Sequence, residues 1–121
     1  MKLTVDTWYE VGPITQDNTG KPVFPQLPEG GGMYRFAWPD GRIYIGQTGT
    51  MRSRMGGYRS WNKRHTHAEL FDALRDTGGT VSIITAATLD GQPVDMSRRD
   101  AREMVEGFLR YTQRPTLNKD R

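Results

Sequence analysis

Four residues in this chain have types and spacing suited to phosphate chemistry: Tyr34, Tyr44 ten positions later, Arg54 ten later again, and Glu106. A phosphodiester resists water because the phosphate is anionic and the leaving alkoxide is poor. Its hydrolysis needs an activated water, cations on the pentacovalent transition state and help for the leaving oxygen. The chain supplies phenols, guanidinium groups and one well-placed carboxylate. No short motif carries the several carboxylates of a two-metal site.

Glu106 is the candidate metal ligand. At about 100° per helical residue it falls on the flank of an apolar stripe, whereas Glu103 points nearly opposite that stripe. A lone carboxylate can hold hydrated Mg²⁺, because this ion keeps several of its waters. Glu106 also stands four residues from both Arg102 and Arg110, the spacing of an ordinary helix-surface ion pair. Arg54 is the candidate transition-state stabiliser, since a guanidinium stays charged and its fork matches phosphate oxygens. Arg52 competes for that role. Tyr34 and Tyr44 are candidates to position the water or to act as general base. A free phenol titrates at about pH 10, so the base needs cations nearby. Tyrosine also favours strands for reasons of packing alone.

The elements that would position these groups are legible. Asp40-Gly41 between two runs of strand formers, with Pro39 before it, signals a hairpin. Its strands are read as Met33–Trp38 and Arg42–Gln47. Alternation sets Tyr34, Phe36 and Trp38 on one face and Met33, Arg35 and Ala37 on the other. Ile43 and Ile45 share a face, with Tyr44 and Gly46 opposite. A helix follows from Thr50, a plausible N-cap, through Tyr58. Ser60–Thr66 reads as a basic loop. A second helix starts at Thr66 or His67, carries Leu70, Phe71 and Leu74 inward, and stops at Gly78 as its C′ residue. Thr80–Thr88 is rich in β-branched residues and reads as the third strand. Ser97 and Asp100 resemble a capping box. Ala101, Met104, Val105, Phe108 and Leu109 then give the last helix its buried face.

The 121 residues suffice for one compact domain. In residues 1–29, Val5, Trp8, Tyr9 and Val11 could make a short strand or a helical turn, but Gly12-Pro13, Asp17-Asn18-Thr19-Gly20 and three further prolines argue for an irregular arm. The domain proper is 30–121. There are no cysteines, which removes disulfides, thiolate zinc sites and cysteine nucleophiles together and fits a reducing cytosol. No apolar run approaches the roughly 18–20 residues of a membrane span, and the first residues do not read as a signal peptide. Net charge is +3, but its distribution is more telling. Arg42, Arg52, Arg54, Arg59, Lys63 and Arg64 fall in a stretch with no Asp or Glu, and Tyr58 and Trp61 stand among them. Such a stretch suits a phosphate backbone, or is simply a solvated basic surface.

Gly32-Met33-Tyr34, Tyr44-Ile45-Gly46, Arg54, Glu106 and Asn118 follow one another in an order that resembles the GIY-YIG nuclease family. The likeness covers about 30–119. Tyr58 matches a tyrosine or histidine of some members. The distances from Glu106 to Pro115 and Asn118 resemble those in the nuclease domain of the bacterial excision-repair endonuclease. The segment from Tyr58 to Ile84, with His67, is more similar to the phage homing-endonuclease branch. Met33 replaces the isoleucine of the first motif. Gln47 and Thr48 stand where many members carry a lysine.

The resemblance implies an α+β fold with a small central three-stranded antiparallel sheet flanked by helices. It implies a metal-dependent DNA endonuclease of the cytoplasm of a bacterial or phage-infected cell, with Mg²⁺ or Mn²⁺ on Glu106. The catalytic residues would be Tyr34, Tyr44, Arg54 and Glu106, with Tyr58 and His67 beside them, and Tyr34 foremost as base. Arg42, Arg52, Arg59, Lys63, Arg64 and Asn118 would bind substrate. A homodimer or a partner protein could supply specificity. The competing expectations are a non-cleaving nucleic-acid-binding module on the same fold, and a protein-interaction domain built on Trp8, Tyr9 and the arm.

Overall fold

The computed structural model describes residues 1–59 and 67–118. The fold is mixed α+β. Its strands are β1 (Leu3–Val5), β2 (Tyr9–Pro13), β3 (Thr15–Gln16), β4 (Pro22–Val23), β5 (Gly32–Ala37), β6 (Ile43–Thr48), β7 (Thr80–Ile84), β8 (Ala87–Leu89) and β9 (Gln92–Pro93). Its helices are α1 (Met51–Gly57), α2 (Ala68–Ala73) and α3 (Arg99–Gln113).

The hairpin forms as its turn chemistry dictates. Gly41 adopts φ +97°, the Gly41 amide donates to Trp38 O at 3.0 Å, and the Trp38 amide donates to Arg42 O at 3.0 Å. A turn closed through a left-handed glycine suits the twist of the paired strands. The register sets Tyr34 opposite Gly46, Phe36 opposite Tyr44 and Arg35 opposite Ile45. Each face of the sheet therefore buries its own cluster. Tyr34, Phe36, Trp38, Val81 and Ile83 pack with Met51, Met55, Tyr58, Leu70, Phe71 and Leu74 on the α1/α2 side. Met33, Ile45 and Ile84 pack with Met96, Val105 and Leu109 on the α3 side.

The central sheet has four antiparallel strands in the order β2-β7-β5-β6, not the three expected. The added strand comes from the arm. β2 pairs with β7, Tyr9 opposite Ile83 and Pro13 opposite Thr80, with a register shift between Glu10 and Gly12. Pro13 is tolerated because β2 is an edge strand. The run Thr80–Thr88 does not form one strand. Its second part leaves the large sheet and joins β1 and β9 as β8.

Several helix ends also differ from the sequence reading. Thr50 is the residue before α1, but its side chain makes no capping bond. Ser97 and Asp100 form no capping box. The Ser97 hydroxyl donates to Asp95 Oδ1 at 2.6 Å, Asp100 accepts from the Arg98 guanidinium at 2.9 Å, and α3 starts after Arg98. Helix α2 ends at Ala73 with Leu74 as its C-cap, so Gly78, at φ +93°, serves the turn beyond it.

The outer edge of β6 is covered by the segment after α3. The Leu117 amide donates to Ile43 O at 2.9 Å. Asn118 Oδ1 accepts from the Ile45 amide at 2.8 Å, and Asn118 Nδ2 donates to Ile45 O at 2.7 Å. Among the described residues, no helix is long and apolar enough to cross a membrane.

Candidate active site

The site begins with two strands crossing at Tyr34 and Gly46. The Tyr34 ring lies over the position where residue 46 would carry a side chain. A Cβ there would sit 2.5 Å from Tyr34 Cζ, which leaves room for glycine alone. Gly32 answers a similar demand, since its Cβ would meet Ile84 O at 2.5 Å. The two motif glycines are thus explained by close packing of neighbours.

Tyr34 is 0% exposed. Its hydroxyl shares a 2.6 Å hydrogen bond with the hydroxyl of Tyr58, which caps the C-terminal end of α1. It also accepts from Arg54 Nη1 at 3.3 Å. The Tyr34 ring stands edge-on to Tyr58 at 6.1 Å and tilted to Tyr44 at 6.2 Å between centroids. Phe36 stacks with Tyr44 at 6.0 Å.

Burial, and then the phenol of Tyr44, push the Tyr34 pKa well above that of a free phenol, against the opposing pull of Arg54 and the Tyr58 hydrogen bond. Burial, then Tyr34 and Tyr44, do the same to Tyr58. Desolvation opposes the charge on Arg54, but the phenol oxygens of Tyr34 and Tyr58 outweigh it and strengthen its hold on the proton. The centre of the site is therefore a neutral phenol pair beside a fixed cation.

A cavity of about 220 Å³ opens next to this centre, lined by Tyr44, Arg54, Gly57, Tyr58, His67 and Phe71. Tyr44 is half-buried and Arg54 is exposed as a whole residue. His67 stands just before α2, which it does not cap with its side chain.

Glu106 is half-buried on α3. Burial raises its pKa above the ordinary carboxylate range, and Glu103 adds to this, while Arg110 and Arg54 act to lower it. Arg54 and Glu106 are therefore within electrostatic reach of each other. Arg102, one of the two ion-pair partners that the spacing of Glu106 offers, is buried elsewhere. It donates from Nε to Gln47 Oε1 at 2.8 Å and from Nη1 to Met96 O at 3.0 Å. Glu103 pairs with Arg99 at 3.1 Å. Among the described residues, no group of three or more His, Cys, Asp or Glu is placed to share a metal ion.

The basic stretch is less bare than its sequence. Arg42 pairs with Asp40 and Asp76, each at 2.9 Å, and lies over the Trp38 ring. Arg52 reaches Leu27 O at 2.7 Å and Glu29 at 2.9 Å. Arg59 reaches Pro22 O and, at 2.8 Å, Asp17. Every one of these acids lies outside the stretch, and only Asp40, two residues before Arg42, is near its partner in sequence. Arg54 alone of these four points to the phenols. Asn118 holds the β6 backbone with both ends of its amide. Trp61, Lys63 and Arg64, with the rest of the expected basic loop, lie outside the described residues. Sequence reasoning missed Gly57 and Phe71 as site residues, and the run Gly56-Gly57 is the signal that marks a bare helix end.

No family model, curated protein or solved structure matches the chain.

Proposed function

We propose that the chain is a DNA endonuclease of the GIY-YIG type, hydrolysing phosphodiester bonds with one divalent cation, Mg²⁺ or Mn²⁺, at Glu106. The observation that carries this reading is that Arg54, Tyr44 and Tyr58 line one cavity, with Tyr34 buried behind them and bonded to Tyr58 and Arg54, and Glu106 in electrostatic reach. The cross-strand fit of Tyr34 on Gly46 supports the likeness to the family, because it gives a physical reason for that pair of motifs.

The donor chemistry at Glu106 fits such a cation. A half-buried carboxylate suits Mg²⁺, which is bound through one or two carboxylates and keeps its waters. When bound, the cation supplies charge stabilisation to the phosphoryl and leaving oxygens.

The remaining work falls to the chain's own groups. Arg54, anchored by the Tyr34 hydroxyl, presents its guanidinium at the cavity to the phosphate oxygens, where charge grows in the transition state. The family likeness makes Tyr34 the foremost base. Its full burial and raised pKa suit it better to holding Arg54 in place. Tyr44 lines the cavity and meets the attacking water. Arg54 stands on the same wall of the cavity. His67 stands on that wall as a second side chain able to hydrogen-bond the water or the phosphate.

Calorimetric titration of Mn²⁺ tests the cation site apart from activity. One site is expected in the wild type and none in Glu106→Ala. Undiminished binding by the variant would overturn the assignment. Labelled single-stranded and duplex DNA with Mg²⁺ tests the cutting itself.

A further inference from the structure

We propose that the groove between the N-terminal arm and α1 binds one or two unpaired nucleotides of the strand whose scissile phosphate lies at Arg54. This rests on the nuclease reading and adds the form of the substrate, which is single-stranded or frayed DNA.

The groove encloses about 640 Å³ between arm residues, Phe24 and Leu27 among them, and Arg52, Met55, Gly56 and Arg59 of the α1 segment. It is roomier than the cavity of the candidate site, about 220 Å³. Its apolar wall is braced, since Phe24 stacks on Phe36 at 5.4 Å and lies 6.1 Å from Tyr58. Apolar and aromatic walls beside guanidinium groups are what an unpaired base and its phosphate require. In a duplex those base faces are already stacked and hidden.

The groove and the candidate site are lined by neighbouring residues of α1. Gly56 lines the groove and Gly57 lines the site cavity. A Cβ added at either would meet nothing within 4 Å. Among the described residues, then, no atom crowds either glycine, and we take this end of α1 as the path of the strand from one hollow to the other. Arg52 stands at the groove, 48% exposed, held by a Glu29 side chain that is 80% exposed. So open an ion pair contributes at most about 1 kcal/mol, and a phosphate can take the place of Glu29. Arg59 is fixed by Asp17 and Pro22 and shapes the far wall.

The test is fluorescence anisotropy in EDTA, so that nothing is cut, with a labelled oligothymidylate and a labelled duplex of mixed sequence. Gly56→Leu fills the groove from a position with open space. It should weaken oligothymidylate binding about tenfold or more, the order of one lost stacked base. Its melting temperature should be kept or raised, because leucine is the better helix former. Arg52→Ala should weaken the same binding severalfold and flatten its salt dependence. Duplex binding should change far less in both variants. Wild-type affinity of Gly56→Leu for the single strand, or equal losses on single strand and duplex, would overturn the proposal and leave the nuclease reading standing. A wild type that neither binds nor cuts any DNA would overturn both.

Discussion

The hydroxyl oxygens of Tyr34 and Tyr58 lie 2.6 Å apart although 24 positions separate them in the chain. This bond ties the central strand β5 to the end of α1 inside an aromatic cluster, and Arg54 joins it from the solvent side. Both residues are buried, so the bond between their hydroxyls, with the one Arg54 donates to Tyr34, satisfies polar groups that water does not reach.

Removing one hydroxyl leaves the other buried with less to bond, at a cost of about 1–3 kcal/mol. Tyr34→Phe should lower the unfolding free energy in urea by that amount. The double variant with Tyr58→Phe should lose less than the two single losses combined. Additive losses would show that the two phenols act independently.

Gly46 and Gly56 should respond to alanine with opposite signs. Gly46→Ala forces the Tyr34 ring aside, and overpacking of this kind costs about 1–3 kcal/mol. Gly56→Ala enters open space within a helix and should stabilise by about 0.5–1 kcal/mol. Urea midpoints measure both. Equal midpoints would contradict the packing given for Tyr34 on Gly46.

Glu106 should make stability depend on pH in an unusual direction. Its folded pKa is raised, with burial the main cause. The folded state therefore keeps a proton that the unfolded chain has already released. As pH rises from the ordinary glutamate value through the raised one, unfolding is favoured and stability falls. Glu106→Gln removes that loss. Its melting temperature should match the wild type in acid and exceed it at neutral pH without metal, and Mn²⁺ should raise the wild type only. A gap that stays constant across pH would contradict the burial of this carboxylate.

Arg54 and Arg52 should differ in kind. Arg54 touches the phenol centre and Arg52 the arm. Under single-turnover conditions Arg54→Ala should cut the rate about 100-fold or more, the scale of a lost transition-state donor. Arg52→Ala should act mainly on binding. Equal effects on rate would mean that Arg54 is not the phosphate-facing cation.

Much of the central sheet is legible ahead of the structure, because its hairpin has strong local signals. Asp40-Gly41 fixes the turn, and a period of two sorts Tyr34 and Phe36 from Met33 and Arg35, as observed. The apolar spacing of α3 is equally plain. What is not legible depends on distant partners. Around Tyr9 the sequence leaves a short strand and a helical turn open, and Gly12 and Pro13 are turn formers, yet β7, some seventy positions on, gives Tyr9–Pro13 a place at the sheet edge. Thr80–Thr88 has one composition but two partners, so local preference cannot divide it. The basic stretch reads as unpaired because Asp17, Glu29, Asp40 and Asp76 lie outside it. Burial of Tyr34 and exposure of Arg54 likewise arise from packing between elements.

The most direct test of the nuclease reading is to incubate supercoiled plasmid and labelled single-stranded DNA with Mg²⁺ or Mn²⁺ and either wild-type protein or Glu106→Ala. Cutting by the wild type alone, with DNA binding kept by the variant, is the expected result. Equal cutting by both proteins, or binding without cutting by the wild type, would contradict a nuclease centred on Glu106.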